Sequence, residues 1–140
     1  MMEDKALQYK IDAINTLSEE RLGLMLFEAA LRNAKLCQEA IASQDWTQTV
    51  KHGRLVQDIM VNLADAINRD HPNADVMRQL YLYCWRQAIN AQMAHRVSDL
   101  DPVITVISNL IQGIRGFLES SSTSSKNVVG QEASVIDFAG

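Results

Sequence analysis

Residues 101–117 read DPVITVISNLIQGIRGF, and the spacing within this stretch decides the fold class. Val103, Val106, Ile107, Leu110, Ile111, Ile114 and Phe117 recur at steps of three and four, which gathers them on one face of an α-helix; a strand would need a repeat of two. Asp101 and Pro102 open the segment with an acidic cap and then a proline at the first helical position, where a missing N–H costs least. This fourth helix is expected to end near Glu119.

The same spacing recurs upstream. Ser18 followed by Glu19 and Glu20 reads as a capped helix start with acids at the positive end of the dipole, so a first helix is expected from Ser18 to about Ser43. Its first half, Leu22-Gly23-Leu24-Met25-Leu26-Phe27, is apolar nearly all round and requires cover on more than one side. Gln44 and Asp45 make a turn. A second helix is expected from Trp46 or Thr47 to Arg69, with Val56, Met60, Leu63 and Ile67 on one stripe and Leu55 and Ile59 beside it. His71-Pro72-Asn73 breaks the pattern, because proline disfavours helix in the residue before it and Asn can cap the next helix. A third helix is expected from Ala74 to about Val97. Leu80, Cys84, Ala88 and Ala91 form its core stripe, and Leu82, Trp85, Ile89 and Met93 form a second apolar stripe.

Four long helices with short connections imply an all-α, antiparallel four-helix bundle. The expected organisation is an N-terminal cap segment at 1–17, a helical bundle at 18–119 and a flexible Ser-rich tail at 120–140. Within the tail, Val135-Ile136-Asp137-Phe138 is more apolar than a spacer requires. It reads either as an unconstrained terminus, the plainer choice, or as a docking peptide for a partner or for the chain's own groove.

Composition narrows the function classes. The 140 residues are 47% hydrophobic and 21% charged, enough for one core, since a chain of this length buries about two-thirds of its unfolded surface. A net charge of -4 and the lack of a Lys/Arg cluster interleaved with aromatics argue against nucleic acid as a partner. Residues 1–10 carry Glu3 and Asp4 and no continuous apolar run, so no secretory signal is read there. No apolar stretch approaches the roughly 20 residues that span a bilayer. Cys37 and Cys84 sit inside apolar helical patterns and read as buried free thiols, which makes a reducing cytoplasm the default location.

Catalytic and metal patterns are missing. There is no Glu-x-x-His, His-Glu-x-x-His, Cys-x-x-Cys or Gly-x-Ser-x-Gly, and His52, His71 and His95 are isolated from one another, so no cofactor, metal or catalytic residue is assigned and no enzyme activity is expected. Gly23, Gly53, Gly113 and Gly116 lie inside helices and form no phosphate cradle. Simple tolerance is the preferred reading for them, and close approach of another chain is the alternative. The surplus of apolar surface, with Tyr81, Tyr83, Trp85, Met77 and Met93, suits a groove for an amphipathic helix. From the pattern alone the chain is a helical protein-binding module.

The stretch Tyr9-Lys10-Ile11-Asp12-Ala13-Ile14-Asn15-Thr16-Leu17-Ser18-Glu19-Glu20-Arg21-Leu22-Gly23-Leu24-Met25-Leu26-Phe27-Glu28 resembles the FliS family of flagellin-specific export chaperones. Asp45-Trp46, Gln57-Asp58-Ile59-Met60-Val61-Asn62-Leu63 and Leu80-Tyr81-Leu82-Tyr83 resemble that family's second and third helices, and the likeness runs from Tyr9 to about Phe117. Glu19 stands where the family usually has proline. The resemblance implies a cytosolic chaperone that binds the C-terminal segment of flagellin, prevents premature polymerisation and assists delivery to the flagellar type III export gate. It implies that Tyr9 belongs to an N-terminal segment that caps the bundle and docks to the gate, with Ile14 as its anchor. Leu55, Ile59, Leu82, Trp85, Ile89 and Met93 are the expected lining of the flagellin groove. The alternative function is a helical adaptor or structural protein acting through homodimerisation.

Overall fold

A computed structural model of the chain describes residues 2–127, with side chains described for 5–16 and 18–120. Four long helices account for nearly all of it: α1 Met2–Ala42, α2 Trp46–Ala66, α3 Ala74–Ala94 and α4 Asp101–Asn127, the last preceded by a single 3-10 turn at Val97–Leu100. No strand occurs among the described residues. The all-α class read from the spacing is the class observed.

Helix limits differ from expectation at several ends. The first helix does not begin at Ser18; α1 runs unbroken through it from Met2. A Ser caps a helix only where the preceding backbone has left helical geometry. Residues 2–22 contain neither Gly nor Pro, so nothing forces that departure. Local bonds fit the continuous helix instead: Gln8 Nε2 donates to Asp12 Oδ1 at 2.9 Å and Thr16 Oγ1 donates to the Asp12 carbonyl at 2.9 Å. At the other end, α4 continues past Glu119 to Asn127, because Ser and Thr are only mildly poor helix formers and no Gly or Pro intervenes. Residues 128–140, including the apolar segment Val135–Phe138, lie outside the described residues.

The α1–α2 turn forms where expected. Gln44 takes a left-handed backbone at φ 59°, and Asp45 caps α2 by accepting the Gln48 N–H at 3.2 Å. The second helix stops at Ala66 rather than Arg69, with Ile67 extended. The third stops at Ala94 rather than Val97, because His95 turns left-handed at φ 55° while its N–H returns to the Ala91 carbonyl. Asn73 holds the cap position of α3 but its side chain makes no cap bond. Its N–H donates instead to His71 Nδ1 at 3.1 Å, which leaves the proton of a neutral imidazole on Nε2.

The described chain falls into two compact units, residues 26–110 and residues 2–25 with 111–127. In the larger one, Phe27, Ala30, Ala34, Cys37 and Ile41 of α1 are buried, with Thr49, Val56, Met60 and Ala64 of α2, Tyr81, Cys84, Ala88 and Ala91 of α3, and Leu100, Val103 and Ile107 beyond them. Most of these side chains are small, which favours helix axes near the lower end of the usual range of about 8–10 Å. Bulkier residues then flank the interfaces. Leu80, expected in the core stripe of α3, is only half-buried, as are Leu63 and Ile67 of the α2 stripe, and Ala64 and Tyr81 are buried beside them.

Polar and aromatic contacts give the helix directions. Asn33 meets His52 and Cys37 meets the Thr49 carbonyl, so α1 and α2 run opposite ways. Gln38 Nε2 donates to Asp101 Oδ1 at 2.9 Å and to the Val97 carbonyl at 3.0 Å, pairing the end of α1 with the start of α4. Phe27 and Tyr81 stack at a tilt, centroids 6.0 Å apart. In the smaller unit Ala13 and Ile111 are buried, and a Cβ on Gly23 would stand 3.8 Å from Ile114 Cδ1, ordinary contact.

Candidate client-binding surface

Two hydrogen bonds orient α2 about its axis. Gln57 Nε2 donates to Gln92 Oε1 at 2.8 Å, so this flank of α2 faces α3. His52 Nδ1 meets Asn33 Oδ1 at 2.8 Å, so the other flank faces α1. The Asn33 amide nitrogen is already committed as a donor to the Ala29 carbonyl at 2.8 Å. Its oxygen must therefore accept, and His52 must carry its proton on Nδ1.

Those anchors place the expected groove residues. Trp85 and Ile89 lie seven and three residues before Gln92, Leu82 falls beside them, and Met93 follows Gln92, so α3 brings these four together along its α2-facing flank. Leu82, Trp85 and Ile89 are half-buried, whereas Met93 is 76% exposed. Leu55 and Ile59 are not part of this cluster. Each is two residues from Gln57, a rotation of about 200° around the helix, which puts them on the His52 flank. Leu55 is exposed there and Ile59 half-buried.

Two features of the α2–α3 flank escaped the sequence reading. A Cβ on Gly53 would stand 2.8 Å from Gln92 Oε1, so this glycine is a point of close approach and not a tolerated one. Gly113 and Gly116 have nothing within 4 Å, and there tolerance holds. At the end of the flank the Trp46 ring stacks on His95, centroids 4.0 Å apart and planes 19° from parallel. Val50, one turn after Trp46 and two before Gln57, is exposed on the same side. The steps 46, 50, 53 and 57 were visible in the sequence, but a Gly and a Gln among them hid the stripe.

Tyr9 and Ile14 are both exposed, at 58% and 61%. Five residues apart, they sit about 140° apart around α1. Tyr9 shares the side of buried Ala13, while Ile14 shares that of Leu7 and Ile11.

The family model for flagellar protein FliS matches residues 2–117. The chain belongs to the FliS family. The match covers α1 to α3 and α4 as far as Phe117, and FliS is a chaperone family of flagellum assembly, not an enzyme family. No curated protein matches the chain.

Cys37 and Cys84 are free and buried. Burial raises both thiols above their ordinary range, Cys84 to about 11, which leaves neither as a thiolate nucleophile at neutral pH. Among the described residues no cluster of three His, Cys, Asp or Glu could hold a metal ion. A recess of about 270 Å³ between the end of α2 and the start of α3 is lined by Asp65, Arg69, Asp75 and Arg78 with Ala64, Ile67 and Ala74; its charges are of both signs and favour neither cation nor anion. Among the described residues no helix is long and apolar enough to cross a membrane.

Proposed function

We propose that this protein is a cytoplasmic export chaperone that binds the C-terminal segment of flagellin, prevents its premature polymerisation and assists its delivery to the flagellar type III export gate. The observation that carries this reading is the FliS match over residues 2–117. Surface chemistry supports it. An unfolded segment that folds on a partner needs a long apolar surface, and Leu82 to Met93 supply one about 16 Å long at the rise of an α-helix. Leu82, Trp85, Ile89 and Met93 form one contact for flagellin, and Leu55 and Ile59 form a second across α2. A client that uses all six passes over α2. Tyr9 and Ile14 serve gate docking from different sides of α1 and are therefore separable by mutation.

Co-purification with a flagellin C-terminal fragment tests the proposal. The wild-type chain is expected to form a stoichiometric complex, and Trp85→Ala with Ile89→Asp is expected to lose binding at least tenfold while circular dichroism remains helical. Full binding by that folded double variant overturns the groove. Failure of the wild type to bind any flagellin fragment, with a dimer seen by sizing, favours the homodimeric adaptor instead.

A further inference from the structure

We propose, on the reading of the α2–α3 flank as the client site, that the Gln57–Gln92 pair selects a client segment carrying an Asn or Gln within its apolar face. Apolar side chains stand on either side of the pair. On α2, Val50 comes two turns before Gln57 and Val61 one turn after it; on α3, Ile89 and Trp85 come one and two turns before Gln92. Val50 is exposed, and Val61, Trp85 and Ile89 are half-buried.

The geometry of the pair fixes what it leaves open. Gln57 Nε2 donates to Gln92 Oε1 at 2.8 Å, and that same oxygen is the atom a Cβ on Gly53 would meet at 2.8 Å. With its oxygen held against α2, the planar Gln92 amide turns its nitrogen and that atom's N–H donors away from α2. The Gln57 oxygen is left over as an acceptor. Among the described residues neither group has another partner. Both glutamines are half-buried, so water serves these groups in the free chain. A client lying across the flank removes that water. An apolar residue opposite the pair would then leave a donor and an acceptor buried and unmatched, which weakens binding by roughly tenfold or more.

A carboxamide answers both groups at once, because it presents a donor and an acceptor side by side on one edge. A carboxylate only accepts, an ammonium or guanidinium only donates, and the two nitrogens of a neutral imidazole point apart. A hydroxyl has its donor and acceptor on a single atom. One amide within an apolar contact also fixes register, as a buried Asn does between paired helices. The pair therefore sets where along the flank the client lies.

A double-mutant cycle on the full chain, with a flagellin C-terminal fragment as the probe, tests this. Gln57→Met with Gln92→Met keeps side-chain length and removes every polar atom of the pair. This variant is expected to bind the fragment about tenfold more weakly than the wild type while circular dichroism remains helical. Each single variant gives the same reading should the two changes together unfold the chain. Replacing the fragment's Asn and Gln residues one at a time by Leu is expected to find one position that matters about tenfold to the wild type and not at all to the double variant. Equal or tighter binding of the unsubstituted fragment by the methionine variants overturns the proposal, as does coupling to a Ser or Thr or to no Asn or Gln. Failure of the wild type to bind the fragment is a different result, which overturns the flagellin reading and this proposal with it.

Discussion

From Phe27 onward α1 buries Phe27, Ala30, Ala34, Cys37 and Ile41 to 5% exposure or less, whereas Leu7, Ile11, Ile14, Leu22 and Met25 in its first half stand between 41% and 68% exposed. Both lines keep the same three-and-four spacing on one continuous helix. The difference is the face each occupies: Met25 and Phe27 are two residues apart, a rotation of about 200°, so the two lines lie on opposite sides of the helix. The buried line holds large Phe27 and Ile41 as well as Ala and Cys, and it continues the side of Ala13 and Gly23, the side that meets the other helices. Periodicity reports that a face is apolar, but not which apolar face the neighbouring helices cover.

The largest effect expected from that contrast is in the buried region. Ile107→Ala removes a fully buried side chain and is expected to lower stability by about 2–5 kcal/mol in urea unfolding, while Leu22→Ala is expected to change it by no more than about 0.5 kcal/mol. Comparable losses at both positions would break the contrast. Overfilling comes next. Ala88 is fully buried, and Ala88→Leu is expected to cost about 1–3 kcal/mol by forcing the helices apart.

The glycines sharpen the comparison at smaller scale. Gly113→Ala meets open space and is expected to stabilise the protein by about 1 kcal/mol through helix propensity alone. Gly53→Ala is expected to show less gain, because its Cβ must displace Gln92 Oε1 and break the Gln57–Gln92 bond. Equal gains at both sites would remove close approach as the role of Gly53.

The smallest effect concerns the buried thiols. The fold favours neutral Cys84, whose pKa is raised to about 11, so an unfolded chain ionises first as pH rises. The stability that this thiol contributes is present below the ordinary thiol range and is lost as pH climbs from there through about 11. Unfolding midpoints measured between pH 8 and 10.5 are expected to fall further for the wild type than for Cys84→Ala.

Much of the fold was legible from the sequence because its punctuation is strong. Pro72 ends any helix before it, Asp45 caps the next one, and the apolar residues of 103–117 keep a single face. The start of α1 was not legible, because the Ser18 cap signal is conditional on a break that residues 2–22 never supply. Nor was the rotation of α2. Leu55 and Ile59 border the apolar stripe of α2, and spacing within one helix does not say which neighbour each edge meets. The Gln57–Gln92 and Asn33–His52 pairs decide it, and both link residues far apart in the chain. On α3, the line from Leu82 to Met93 needed no such pair to be seen as a unit.

Titration calorimetry of the full chain with a flagellin C-terminal fragment, repeated over a range of temperatures, is the most direct test of the proposed client. Stoichiometric binding with a negative heat-capacity change, as expected when apolar surface is buried and a segment folds, and loss of that signal in Trp85→Ala/Ile89→Asp, is the expected result. No heat at any temperature, or an unchanged isotherm for the folded double variant, would contradict it.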